Sequence, residues 1–273
     1  MIENKTNKRY IVTLSIAGSD SSGGAGIQAD IKTMSALGCF AATAITSVTV
    51  QNTMGVSAVQ KIEPEIVAGQ IRAVIDDLQP SAIKIGMVND SETICAIAET
   101  LNDYDTLPPI IIDPVMVSTS GSRLMQQNAI ETFKKELMPM TTLLTPNIAE
   151  AEVLSGCHIE DIYSINSAAQ IILSQNCNAV LIKGGHLVEK TDRLYVKSYQ
   201  NGATLVASYH HDSINSANTH GTGCTLSSAI AALMAKGEKL EDAILKAKEY
   251  VSEAIAKGAD INIGRGAGPV NHF

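Results

Sequence analysis

The 273-residue chain predicts an α/β fold built on a mainly parallel sheet, and three observations carry that reading. Short apolar, β-branched runs recur along the chain with amphipathic segments of helical period between them. The runs are nearly continuous in apolar residues, as strands covered on both faces are, rather than alternating. One later stretch breaks the rhythm with a hairpin signal.

In order, Tyr10–Ala17 is the first strand, and Gly26–Leu37 is a helix with Ile27, Ile31, Met34 and Leu37 on one face. Ala41–Val50 is the second strand, followed by a helix over Pro64–Leu78 with Ile66, Ile71, Val74, Ile75 and Leu78 as its apolar stripe. Ala82–Ile85, Ile110–Ile112, Thr142–Leu144 and Ala179–Ile182 are the remaining core strands. Arg193–Tyr199 and Ala203–Tyr209 flank Gln200-Asn201-Gly202, and Asn-Gly is a strong hairpin turn, so an antiparallel ribbon interrupts the parallel sheet. Leu226, Ile230, Leu233 and Met234 then mark a helix running to Lys236, and Leu240–Lys257 reads as the last helix. Neither repeats nor linkers break the chain, so residues 1–273 are expected to be a single domain.

Composition excludes several classes. Apolar residues are 45% and charged residues 18%, the profile of a chain that buries a substantial core. The net charge is −8, and no Lys/Arg cluster interleaves with aromatics, so neither nucleic acid nor an anionic membrane is an expected partner. Five cysteines, at 39, 95, 157, 177 and 224, show no CxxC or metal-ligand spacing, which argues against a disulfide framework or a zinc site. No leader-like segment and no apolar run of ~18 residues is present, so a cytoplasmic location is expected.

In open α/β sheets ligands gather beyond the carboxyl ends of the strands. Polar residues cluster there: Gly18 to Gly26, Gln51-Asn52, Gly86-Met87, Asp113-Pro114, Pro146-Asn147 and Lys183-Gly184-Gly185-His186. To these the turn Thr219-His220-Gly221-Thr222-Gly223-Cys224-Thr225 adds a thiol at a helix N-terminus. Backbone N–H groups and the helix dipole suit an anion there, and the thiolate form of Cys224 is favoured; close helix packing around an inert Cys is the alternative.

The other candidates also have two readings. Asp30 is either a ligand contact or a carboxylate favoured by its helix dipole. The Gln51 amide offers a donor and an acceptor to a polar heterocycle, or is solvated. Met87 packs on an aromatic substrate or fills the core. Asp113 serves a Mg²⁺-nucleotide or a turn, and Asn147 with Glu150 is close to a capping box. Lys183 reaches a phosphate or solvent, while His186 and His220 are hydrogen-bonded loop residues. The glycine-rich loop matches neither the dinucleotide fingerprint nor the P-loop.

Taken together, Ala17-Gly18-Ser19-Asp20-Ser21-Ser22-Gly23-Gly24-Ala25-Gly26-Ile27-Gln28-Ala29-Asp30, Thr49-Val50-Gln51-Asn52-Thr53, Lys84-Ile85-Gly86-Met87, Asp113-Pro114-Val115, Thr145-Pro146-Asn147, Lys183-Gly184-Gly185-His186 and the turn at 219–225 resemble the hydroxymethylpyrimidine/phosphomethylpyrimidine kinases. These are thiamin-biosynthesis enzymes of the ribokinase-like family. The resemblance implies a ribokinase-like three-layer α/β/α fold, ATP with Mg²⁺, two successive phosphorylations of an aminopyrimidine, and a homodimer. It assigns the pyrimidine pocket to Gly18, Asp30, Gln51, Met87 and Val115. Asp113, Asn147, Glu150 and Lys183 would serve ATP, with Asp113 and Glu150 toward Mg²⁺, directly or through water. Gly221, Thr222 and Gly223 would form the anion hole, with Cys224 and Lys183 catalytic. The chain departs from the family pattern at Ser213-Ile214-Asn215-Ser216 and at Ala267. A pyridoxal kinase of the same branch and a catalytically silent binding protein are the alternatives.

Overall fold

A computed structural model describes residues 9–116, 124–184, 190–198, 202–210 and 212–273. Among the described residues nine strands form one sheet: β1 (Val12–Asp20), β2 (Phe40–Asn52), β3 (Gly55–Lys61), β4 (Ala82–Ile85), β5 (Ile110–Ile112), β6 (Leu143–Leu144), β7 (Ala179–Ile182), β8 (Thr191–Ser198) and β9 (Gly202–His210). Their order is β3-β2-β1-β4-β5-β6-β7-β8-β9, in which the run from β2 to β7 is parallel and an antiparallel strand or pair is added at each edge. The ribbon β8–β9 therefore extends the sheet rather than interrupting it. Strand β3 escapes the sequence reading because it is polar and mostly exposed. The expectations placed on Gly185, His186 and the turn residues Tyr199, Gln200 and Asn201 lie outside the described residues.

Alternation along the short central strands sends side chains to two separate cores. Ile83 and Ile85 of β4, Ile110 and Ile112 of β5, and Val180 and Ile182 of β7 join one cluster, covered by α2 (Pro64–Leu78), α3 (Ser91–Asn102), α5 (Ile148–Ser155) and α6 (Ile162–Ser174). A single turn, α4 (Ala129–Thr132), continues into a π-helical turn at Phe133–Leu137 on that side. Ala82, Ile111, Ala179 and Leu181 face the opposite cluster, with α7 (Thr222–Ala235), α8 (Leu240–Gly258) and Met34 of α1 (Gly26–Ala36). The result is three layers, as expected of near-continuous apolar strands. Among the described residues no helix is long and apolar enough to cross a membrane.

Candidate functional site at the carboxyl ends of the strands

Three parallel strands deliver an ion pair to one point. Asp113 follows β5, Thr145 follows β6 and Lys183 follows β7. Lys183 Nζ donates to Asp113 Oδ1 at 2.9 Å, and Thr145 Oγ1 donates to the same oxygen at 3.1 Å. Asn147 caps α5 by accepting from Glu150 N at 2.9 Å, while Glu150 Oε2 accepts from Asn147 N at 2.8 Å, so the capping box is complete. The cap also holds the Glu150 carboxyl beside Lys183 and Asp113. Burial pushes that carboxyl up to about 7, with Lys183 opposing and Asp113 adding to the rise. The capping and site readings of Glu150 are thus compatible.

The turn before α7 abuts this pair. Gly221 sits in the left-handed region at φ 82°, and a Cβ there would lie 1.8 Å from the Gly24 carbonyl oxygen, so only glycine lets the turn close on the β1–α1 loop. A Cβ on Gly223 would lie 3.2 Å from Asp113 Oδ2 and 3.6 Å from Lys183 Nζ. The start of α7 therefore faces the ion pair directly. Thr222 Oγ1 donates back to the Thr219 carbonyl, fixing the turn. Among the described residues the amides of Gly223 and Cys224 have no backbone acceptor, as the first turn of a helix leaves them.

Cys224 corrects one expectation. Burial pushes its thiol up to about 11, outweighing the lowering by Lys84 and by a hydrogen bond from the Gly26 backbone, with Asp30 and Asp113 adding to the rise. The helix N-terminus alone does not make it a thiolate. Two carboxylates nearby and the lost solvent outweigh the dipole.

Asp30 is the second correction. It is fully buried and accepts four hydrogen bonds: from Lys84 Nζ at 2.9 and 2.8 Å, from Ser15 Oγ at 2.5 Å and from Ser228 Oγ at 2.6 Å. It also lies beyond the first turn of α1. With no exposed surface it contacts neither solvent nor a pocket, so both the ligand reading and the dipole reading fail. Asp30 instead holds Lys84, whose own ammonium is fully buried. Burial opposes that charge, but Asp30, Cys224 and Asp113 together keep Lys84 above the ordinary lysine range.

Lys84 is a residue to which the sequence reading assigns no role. Its signal is a lysine inside the apolar strand Ala82-Ile83-Lys84-Ile85, since a fully buried lysine needs a partner.

The remaining pocket residues sit at the ends of β1, β2 and β4. A Cβ on Gly18 would lie 2.2 Å from Met87 Cε and 2.9 Å from Ser47 Oγ, so Gly18 and Met87 are brought together. Val115 is half-buried two residues beyond Asp113, with its N–H turned back to the Asp113 carbonyl at 2.8 Å. Gln51, half-buried at the end of β2, reaches His220 of the turn at 3.2 Å. Asp20 completes that contact at 2.9 Å from His220 Nε2 and is also missed by the sequence reading, because its loop reads simply as a polar turn. Among the described residues no three His, Cys, Asp or Glu groups converge as a metal cage.

The phosphomethylpyrimidine kinase family model matches residues 20–271. A hydroxymethylpyrimidine/phosphomethylpyrimidine kinase of Rhizobium meliloti is 47% identical over 265 residues, covering 96% of this chain and 97% of its own. The crystal structure of phosphomethylpyrimidine kinase from Clostridium difficile superimposes with a TM-score of 0.77 at 42% identity, covering 90% of this chain and 99% of that one. A Bacillus subtilis pyridoxal kinase, solved as an ADP complex, gives a TM-score of 0.85 at 32% identity over 96% of this chain and 97% of that one. With a family match spanning nearly its whole length and a relative at this identity, the chain belongs to the phosphomethylpyrimidine kinase family.

Proposed function

We propose that the chain uses ATP to phosphorylate 4-amino-5-hydroxymethyl-2-methylpyrimidine to its monophosphate and then to the diphosphate, in thiamin biosynthesis. One observation carries this reading: the glycine turn that opens α7 faces the Asp113–Lys183 pair, with a Gly223 Cβ position 3.2 Å from Asp113 Oδ2. Backbone N–H groups, a helix N-terminus and a lysine converge where a transferring phosphoryl group would sit, and phosphoryl transfer needs positioning and charge stabilisation more than covalent chemistry.

Mg²⁺ fits this donor set. Magnesium bound with a nucleotide takes one or two carboxylates and otherwise phosphates and water, so Asp113 and Glu150 suffice without a three-residue cage. When bound it would neutralise charge building on the phosphates. Lys183 would hold the same oxygens, and Gly221, Thr222 and Gly223 would cradle the anion. Cys224 is protonated at rest, so it would first give up that proton to solvent, and the resulting thiolate would then take the hydroxyl proton as it leaves the substrate in the first reaction. Gly18, Met87, Val115 and Gln51 would line the ring pocket, with Gln51 meeting the exocyclic amine. A homodimer and a cytoplasmic location belong to the same reading.

The likeness to a pyridoxal kinase favours one second reading, phosphorylation of pyridoxal on the same hydroxymethyl geometry. Steady-state kinetics with the pyrimidine alcohol, its monophosphate and pyridoxal decide between them. Turnover of both pyrimidines with a larger kcat/KM than for pyridoxal is expected. A larger kcat/KM for pyridoxal would overturn the choice.

A further inference from the structure

Asp20, His220 and Gln51 meet where the loop after β1, the turn before α7 and the end of β2 converge. Asp20 Oδ1 accepts from Ser22 N at 2.8 Å and from Ser22 Oγ at 2.7 Å, and Oδ2 accepts from Ala25 N at 2.8 Å and Gly24 N at 3.2 Å. Burial would raise this carboxyl, but the bonds from His220, Ser22 and Ala25 bring it down to about 2. An ionised carboxylate only accepts, so His220 Nε2, 2.9 Å away, carries a proton and donates.

That assignment decides the orientation of Gln51. Its Nε2 stands 3.2 Å from His220 Nε2 and its Oε1 stands 3.1 Å from Thr49 Oγ1, which donates to the Ser19 carbonyl at 2.9 Å. Two N–H groups cannot bond each other. A half-turn of the carboxamide removes the conflict: the oxygen takes the longer branch of the single His220 Nε2 hydrogen, which it shares with Asp20, and the nitrogen donates to Thr49. Each end then keeps one further site, an acceptor lone pair on the oxygen and an N–H on the nitrogen.

His220 is itself tethered through its backbone and its ring. Its N–H donates to the Gly268 carbonyl at 3.1 Å and its carbonyl accepts from Val270 N at 3.4 Å. Its ring packs on Gly24, where a Cβ would lie 2.4 Å from His220 Cδ2.

We propose that the Asp20–His220 pair is a positioning device for Gln51: it fixes which end of the carboxamide accepts and which donates, and so sets the polarity of the edge offered to the substrate ring. The proposal rests on the reading of the site as a pyrimidine kinase. An aminopyrimidine presents a donor amine beside an acceptor ring nitrogen, which complements an acceptor–donor carboxamide edge held in one sense. A freely flipping amide would offer that match only part of the time.

The test is steady-state kinetics with 4-amino-5-hydroxymethyl-2-methylpyrimidine and with its analogue lacking the 4-amino group, each measured also as a function of ATP. Wild type is compared with His220→Phe, His220→Gln, Gln51→Ala and the Gln51→Ala/His220→Phe double variant. His220→Phe should raise KM for the aminopyrimidine about tenfold, the factor of one net hydrogen bond, and shrink the preference over the analogue. Its KM for ATP should stay within about twofold, and His220→Gln, which restores a donor, should recover most of the loss. In the Gln51→Ala background His220→Phe should add nothing.

An unchanged aminopyrimidine KM, a matching rise in the ATP KM, or an undiminished effect without Gln51 would each overturn the proposal. Should His220→Phe not fold, Thr49→Val removes the other tether of Gln51, and an unchanged aminopyrimidine KM in that variant overturns it equally. Wild-type turnover of pyridoxal without the aminopyrimidine would overturn the functional reading instead. The coupling between Gln51 and His220 measured on pyridoxal then decides the positioning claim, and its absence defeats it.

Discussion

Lys84→Met removes one half of an ion pair that has no solvent on either side. In the native site Asp30 accepts two bonds from the Lys84 ammonium and one each from Ser15 and Ser228. Methionine approximates the lysine stem, so the packing stays nearly intact and the loss is electrostatic. Asp30 is left with two neutral hydroxyls as partners, and breaking a fully buried pair in this way costs about 3–5 kcal/mol. At roughly 2–4 °C per kcal/mol for a chain of this size class, the melting temperature should fall by roughly 6–20 °C. Urea denaturation should show a lower midpoint with an unchanged slope, since the surface exposed on unfolding is the same. Adding Asp30→Leu removes the orphaned charge, and the double variant should regain most of the loss. A melting temperature within about 3 °C of wild type for Lys84→Met, or a double variant worse than the single one, would refute the pairing as a buried structural charge.

Gly221→Ala forces a Cβ to 1.8 Å from the Gly24 carbonyl at a φ of 82°, so it should lower kcat by at least about 100-fold through displacement of the anion turn; near-normal turnover would contradict that role. Cys224→Ala should slow phosphorylation of the pyrimidine alcohol about 10–100-fold, at or below the low end of general-base effects because only the small thiolate fraction of a thiol raised to about 11 can accept the proton. It should change the monophosphate reaction far less, because that nucleophile is already largely ionised, and equal losses would remove Cys224 as the base. Burial holds His272 down to about 4, with Lys32 contributing, so between about pH 6.5 and 4 the unfolded chain takes a proton that the folded chain refuses. Stability should therefore fall on acidification across that window, by up to about 3 kcal/mol, and His272→Phe should flatten it in urea midpoints measured at successive pH. The Asp20 contribution, with its carboxyl held at about 2, should persist to lower pH and be lost only as pH falls from about 3.8 toward 2.

The layers were legible because the central strands are apolar on both faces, and such strands need cover on both sides of the sheet. The glycine turn at 221–223 was legible because its glycines precede a helical stripe. Strand β3 was not, since Gly55–Lys61 is mostly exposed and pairs only through its backbone with β2. Asp30 misled for a different reason: sequence shows that a carboxylate lies in a helix, but not that Lys84, fifty-four positions away, meets it across the sheet. Cys224 misled because a helix N-terminus is visible in sequence whereas burial is not, and here burial dominates. His220 and Asp20, two hundred positions apart, each look like loop polarity until they are seen to hydrogen-bond to each other.

The two lysine–carboxylate pairs at the strand ends have opposite physical characters. Lys84 and Asp30 have no exposed side-chain surface, and opening them would strand a charge in the core. Lys183 keeps 16% of its side chain exposed, and its partner Asp113 retains the Thr145 hydroxyl if the lysine turns away. An incoming polyphosphate needs a cation, and both of these lysines are already matched to a carboxylate. It must draw that cation from an existing pair, and of the two only Lys183 can be drawn at modest cost. The carboxylate so released lies beside the Gly223 turn, where a divalent cation carried by the nucleotide would meet it. Thus, on the proposed reading, the pair that can open would face the nucleotide, while the pair that cannot open keeps α1, β4 and α7 in register.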